Sequence, residues 1–432
     1  MVPQYLSFEI HICVFFVIFM YSKILISLRN FVFQSSGEFR LRGTIDAGNM
    51  RAKDHKHSLL RSLSLGSWIT SVVCLLPAAL AGQSAAQAHV VTAPWAGPGQ
   101  APGSKPLALD ATLAKWEPPA LPANPAPPPL SPEQLAIVQA TQGEKLPEPK
   151  WARFVLSNEW RHDVMFSKLA NLGGVWIGVA TDQNYTMAAA AHSELLVLMD
   201  YDLEVVNVHR MYHALIKQAP TAEDFRAFFR QANAAKAIEV LNASSASPEE
   251  NAKLVQIYNR YRDRMATYMY HVANTRVGQR HPTWLGDPAS YAYIRALVQG
   301  GRVLARQGDL NGTTTIRSIG DTARKLNLKV RGFYTSNAEG FFQYTQNFRD
   351  SLKSLPRDEK SVMVRTYKRG MTIAVGCTWH YNLHQMDDFL SRLDAPGYKD
   401  IHRVMQDLRS PKVKAKLEAI GVSYYDGTVP RT

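Results

Sequence analysis

The chain has 432 residues, 49 of them lysine or arginine against 36 acidic, for a formal net charge of +13. With 46% hydrophobic and 20% charged residues it can bury a core, which excludes a wholly disordered chain, and its length allows two or three domains. The basic balance comes without a Lys/Arg run interleaved with aromatics, so no nucleic-acid partner is expected; it suits an anionic envelope surface, or plain solubility.

In chain order, residues 1–49 hold one apolar run, Ile12 to Met20. It is short of the ~20 residues that span a bilayer, so this segment reads as a mis-assigned upstream start, with a membrane anchor as the alternative. Met50 opens a second beginning. Arg51, Lys53, Lys56 and Arg61 form a basic region, an apolar run follows from Trp68 to Leu80, and Ala86-Gln87-Ala88 closes it. These are the three parts of a secretory signal peptide over residues 50–88, cleaved before His89. The expected location is periplasmic or secreted; the alternative is anchoring through the N-terminus. Residues 1–88 carry eight basic and four acidic side chains, so the net charge without them falls to +9. Cys13 and Cys74 lie there too, leaving Cys377 alone, so neither an internal disulfide nor a cysteine metal site is expected beyond it.

Residues 89–150 read as a Pro-rich linker or wrapping arm, with 14 of the 24 prolines between Pro94 and Pro149. Within it Ser131-Pro132-Glu133-Gln134 has the form of a capping box and predicts a short helix to about Thr141. The globular domain is expected over 151–432. Strand-like runs fall at about 175–180, 195–200, 302–307, 330–336 and 361–366, separated by helical stretches. Between about 218 and 285 the caps Thr221-Ala222-Glu223-Asp224 and Ser247-Pro248-Glu249-Glu250 announce helices and no strand, hence a helical insertion. The last fifty residues read as helix plus a basic tail. The fold class is therefore α/β: a Rossmann-like, doubly wound, mainly parallel sheet with a helical insertion, preceded by a signal peptide and a Pro-rich linker.

In such a sheet ligands bind at the carboxyl ends of the strands. The stretch Gly174 to Asp202 runs strand, polar turn, helix, strand and acid, with Asp200 placed 22 residues after Gly178. That spacing suits a nucleoside-type ligand whose ribose meets a carboxylate. Candidate cofactor-binding residues are Gly178, Asp182, Gln183, Asn184, Asp200 and Asp309; Ser336, Asn337 and Glu339 follow the fourth strand. Few glycines stand in the first turn, which disfavours a dinucleotide and leaves S-adenosylmethionine as the candidate cofactor. Asp200 would then hold the ribose, Asp309 the adenine amino group, and Asn337 would face the reacting group. His209 and His213, four apart, could ligate zinc on a helix, but Arg210 stands where a metalloprotease has Glu. His380 and His384 repeat the spacing, and no metal site is expected from either pair. Ser336 lacks the G-x-S-x-G elbow of a serine hydrolase.

GVWIGVATDQNYTMAAAA, LLVLMDYDLEVVNVHRMYHALI and FYTSNAEGFF together resemble an uncharacterised bacterial family with a Rossmann-like, methyltransferase-like domain, over roughly residues 150 to 367. The resemblance carries Gln183 and Asn184, Asp200, His209 and Tyr212, Gly308 and Asp309, and Ser336, Asn337 and Glu339. Ala180 and Ala338 depart from it, the first where a glycine is usual. It implies a fold rather than an activity. Two functions follow as expectations. One is an S-adenosylmethionine-dependent methyltransferase-like enzyme in which Asn337 and Glu339 orient the acceptor. The other is a binding or envelope-associated module that keeps the fold without methyl transfer, as export away from cytosolic S-adenosylmethionine favours. The small-molecule ligand and the oligomeric state are not specified by the sequence.

Overall fold

The structure, a computed structural model, describes residues 125–407, except 152, 372, 374 and 375, together with 422–425. The signal-like segment and most of the Pro-rich stretch lie outside these residues. Seven strands form one sheet: β1 (Val175–Val179), β2 (Leu195–Asp200), β3 (Val303–Gln307), β4 (Val330–Tyr334), β5 (Val362–Tyr367), β6 (His380–Gln385) and β7 (Val422–Tyr425). Their order is β3-β2-β1-β4-β5-β6-β7. The first five are mutually parallel, β6 runs antiparallel to β5, and β7 is parallel to β6. The order 3-2-1-4-5 is that of a doubly wound sheet, and it places the switch point between β1 and β4.

Alternation along each strand feeds two cores, as a sheet covered on both faces requires. Val175, Ile177 and Val179 of β1 join Val197, Phe333 and Met363 on one face, against α9 (Thr315–Lys325), α10 (Gln346–Lys353), α11 (Met386–Leu393) and α12 (Ile401–Gln406). Trp176 of β1 joins Leu196, Leu198 and Tyr334 on the other, against α2 (Phe166–Leu169), α3 (Gln183–Ala191), α4 (Leu203–Gln218) and α8 (Pro288–Gln299). The alanine run of α3 is wholly buried, which lets that helix lie close on β1. Between α4 and α8 the chain forms α5 (Ala222–Ala227), α6 (Ala234–Asn242) and the 27-residue α7 (Pro248–Asn274), the helical insertion expected there.

The last fifty residues differ from the expectation of helix plus tail. His380 and His384 lie on strand β6 rather than on a helix. Tyr381 and Leu383 alternate onto the core that holds Trp176, while the polar side chains of β6 are paired: Asn382 Oδ1 and His384 Nδ1 both meet Arg365 of β5, at 2.8 and 3.3 Å. His384 Nε2 donates to Asp388 on α11 at 2.6 Å. Burial holds this imidazole neutral, pulled down to about 3.

Packing begins before residue 151. The helix α1 (Pro132–Gln139) has its capping box formed by Ser131 and Gln134. Thr141 Oγ1 meets Thr322 of α9 at 2.7 Å. Arg302 and Arg306, flanking and within β3, reach the carbonyls of Pro128 and Thr141. Glu144 N donates to Gln307 O at 2.8 Å. This arm covers β3, whose outer edge would otherwise offer unpaired backbone groups.

Candidate functional site

From Glu144 to Asp163 the arm continues as a strap across the carboxyl ends of the strands. It reaches them one after another. The Glu144 carboxylate sits at the start of α9 and accepts from Asp309 N at 2.7 Å and Thr314 N at 3.0 Å. A helix N-terminus of this kind attracts an anion, and here the strap supplies one. A Cβ at Gly312 would lie 2.0 Å from Glu144 Oε1, so the loop has room only for the carboxylate. Trp151 then packs on Tyr201 with ring centroids 5.2 Å apart, and Arg153 pairs with Glu204 at the start of α4.

Further along, Glu159 is buried over the switch point. Its Oε1 accepts from Ser336 Oγ after β4 at 2.7 Å and from Thr366 Oγ1 of β5 at 2.9 Å. Its Oε2 has no hydrogen-bond partner among the described residues. Burial pushes the Glu159 carboxyl up to about 7. The strap is tied down on both sides of it. Thr378 donates to Asn158 O at 2.6 Å and Tyr381 OH to Trp160 O at 2.7 Å, while within the strap Arg161 Nε donates to Asp163 Oδ1 at 2.9 Å. His162 is buried, its imidazole pulled down to about 3, and its Nε2 is also without a partner.

The cavity that remains under the strap is about 20 Å³ and is lined by Glu159, His162, Asp163, Asp182, Gln183 and Tyr268 among others. That is room for one water and not for a nucleoside, which needs a pocket of roughly 300 Å³ or more.

The residues expected to form a site are distributed as follows. Asp182 and Gln183 line this cavity. Asp182 is buried, which raises its carboxyl above the usual range, and it accepts from Tyr268 OH at 2.7 Å and Trp284 Nε1 at 3.1 Å. Both donors come from the helical insertion and the loop after it. Asn184 turns back into the fold: its amide donates to Val179 O and Thr181 O, and its Oδ1 accepts from the Trp176 indole at 3.2 Å. The space left by Gly178 is taken by that same side chain, since a Cβ there would lie 2.0 Å from Asn184 Oδ1.

Asp200 accepts from Ala180 N at 3.1 Å and Asp202 N at 2.8 Å, and burial pushes it up to about 7. Asp309 closes a turn by accepting from Asn311 N at 2.8 Å. Asn337 is half-buried and opens a 3-10 turn over Ala338–Phe341. Glu339 faces a different partner set: Arg365 Nε at 2.8 Å, with Thr335 and Tyr344 hydroxyls also donating to it. Of the expected residues, Asp182 and Gln183 come together at this cavity. Glu144, Arg153, Glu159 and His162 of the strap carry no periodic or motif signal, and neither do Tyr268 and Trp284, whose role depends on contacts far along the chain.

Ala180, directly after β1, has φ +73°, a conformation costly for a residue with a Cβ. Both its backbone groups are held: N–H by Asp200, and C=O by His209 Nε2 at 2.8 Å. With Nε2 donating, His209 Nδ1 must accept, from Tyr185 OH at 2.9 Å, and Tyr185 in turn accepts from His213 Nε2 at 3.1 Å. The two histidines on α4 are thus links in one chain of hydrogen bonds. Among the described residues no three His, Cys, Asp or Glu side chains gather as metal ligands.

Residues 154–421 match the family model described as Domain of unknown function (DUF7790). The chain belongs to this family. The DUF7790 match begins inside the strap, so Glu159 and His162 belong to the family domain while Glu144 and Arg153 precede it. No curated protein sequence matches the chain. Among solved structures it is similar to the rRNA methyltransferase aviRa from Streptomyces viridochromogenes, at 14% identity and a TM-score of 0.23, over 57% of this chain and 85% of that one. A likeness of that size carries no chemistry from one chain to the other.

Proposed function

We propose that this DUF7790 domain is a binding module that keeps a Rossmann-like shell without methyl transfer. The observation that carries this reading is the strap: its side chains take the hydrogen-bonding positions at the strand ends that a nucleoside cofactor would need. Glu144 occupies the anion seat of α9, Arg153 the acids at the start of α4, and Glu159 the switch point. The cavity beneath is a single water in size. In this reading the chain is exported through residues 50–88 and meets its small-molecule ligand, or the envelope surface, outside the cytosol.

A second reading, an S-adenosylmethionine-dependent methyltransferase, is favoured by the strand order and by the unpaired Glu159 Oε2. It requires the strap to lift from Gln183 and Asp309, and Gly178, Asp182, Asn184 and Asp200 to exchange their partners within the fold for cofactor, with Asn337 and Glu339 turned toward an acceptor. Equilibrium dialysis of the full chain against labelled S-adenosylmethionine separates the two. No saturable binding is expected; one mole bound per mole of folded protein would overturn the first reading.

A further inference from the structure

Away from the strand ends, two hollows meet on the outer face of α4. The larger, about 700 Å³, lies between α4, α6 and α7; the smaller, about 270 Å³, lies between α4, α1 and β3. Arg210, His213 and Lys217, on one face of α4, line both. The larger volume is in the range of small-molecule sites.

The charges at this waist are unbalanced. The Arg210 guanidinium is partly buried and, among the described residues, its hydrogen bond is to Asn207 Oδ1 at 3.0 Å. Arg306 lines the smaller hollow and spends its N–H groups on the carbonyls of Thr141, Gln139 and Ala305. Among the described residues neither guanidinium has a carboxylate in ion-pair contact. Burial lowers the proton affinity of both, and Arg210 lowers that of Arg306 further. A desolvated cation without an anion is a cost to the fold that a bound anion would offset. The larger hollow adds Lys236 and Lys253 balanced by Glu239 and Glu250, so its cationic excess is Arg210 and Lys217, with Glu250 acting favourably on Arg210. Its walls are apolar as well, through Ala214, Val240 and Leu254, and Val138, Val303 and Leu304 continue that character in the smaller hollow.

We propose that this two-lobed groove binds an amphipathic organic anion, its phosphate or carboxylate head held by Arg210 and Lys217 at the waist, where His213 is a neutral wall with its N–H spent on Tyr185, and its apolar body lying along one lobe. Arg suits such a head because its planar fork matches two oxygens at once. The inference rests on reading the chain as a binding module, and gives that module its ligand class.

Calorimetric titration of the full chain tests it with four probes: decyl phosphate, decanoate, decanol and inorganic phosphate, the amphiphiles kept below micelle formation. One-site saturation is expected for at least one of the two amphipathic anions, with decanol and inorganic phosphate weaker by at least about tenfold. Arg210→Gln should weaken the anion by about tenfold or more and the exposed Lys217→Gln by several-fold, each about one lost charge contact. Lys217→Gln carries the test if the arginine variant fails to fold. Saturation by neither anion, equal affinity for decanol, or affinity unchanged in a folded Lys217→Gln would overturn the proposal. Saturable S-adenosylmethionine binding would instead sink the module reading and leave these titrations as they stand.

Discussion

Replacing Glu159 with glutamine probes how the strap is held. Glutamine keeps the shape and an acceptor for the Ser336 and Thr366 hydroxyls, but it does not titrate. In the folded chain burial holds the Glu159 carboxyl up to about 7, against an ordinary 4.5 once unfolded. Below pH 4.5 the group is protonated in both states, and its full contribution to stability is present. Between 4.5 and 7 the folded state keeps a proton that the unfolded state releases, so stability falls as pH rises. Above 7 the loss is complete, and the gap between the two values is worth roughly 3 kcal/mol. That figure is an upper bound, because the strap can lift before the domain unfolds. Asp200 titrates in the same direction, but it is present in both proteins and cancels in their difference. Urea unfolding of the full chain followed by circular dichroism, at pH 4.5 and pH 8, gives that difference. The variant should be about as stable as the native chain at pH 4.5 and more stable by about 1–3 kcal/mol at pH 8. A difference that does not change with pH, or a variant less stable at pH 8, would refute the reasoning.

Two further outcomes follow from the packing. Arg365→Met leaves the buried Glu339 carboxylate without its cation and should cost about 3–5 kcal/mol in the same unfolding assay, with Glu339→Gln added to it recovering part of the loss. Gly178→Ala drives a Cβ into the Asn184 amide and should destabilise by about 1–3 kcal/mol or more; a smaller cost would mean that Asn184 is free to move aside.

What could be read from the sequence was what hydrophobicity encodes. Strands β1 and β2 are apolar runs buried on both faces, β3 to β5 are apolar runs that each carry one arginine, and α5 and α7 of the insertion begin at the caps that Thr221 and Ser247 supply. Strand β6 was missed because its apolar side is only Tyr381 and Leu383. Its other side is His380, Asn382 and His384, and that polar stripe is buried by pairing with Arg365, Asp388 and Ser423 rather than by hydrophobicity. Polar residues satisfied by partners far along the chain leave no local signal. The site was legible in the same limited way: Asp182, Gln183 and Asp200 do stand at strand ends, Asp200 turned onto the Ala180 and Asp202 amides, but what Asp182 and Gln183 face is decided by Glu159, Tyr268 and Trp284. These lie up to about a hundred residues away in sequence, and no spacing rule connects them.

Hydrogen exchange with mass spectrometry, on the full chain with and without S-adenosylmethionine, tests the sealed crevice most directly. The ligand should change exchange neither in the strap at 157–163 nor in the loops at 180–184 and 200–204. Ligand-dependent protection of those loops, together with a change in the strap, would show an open cofactor site and contradict the account.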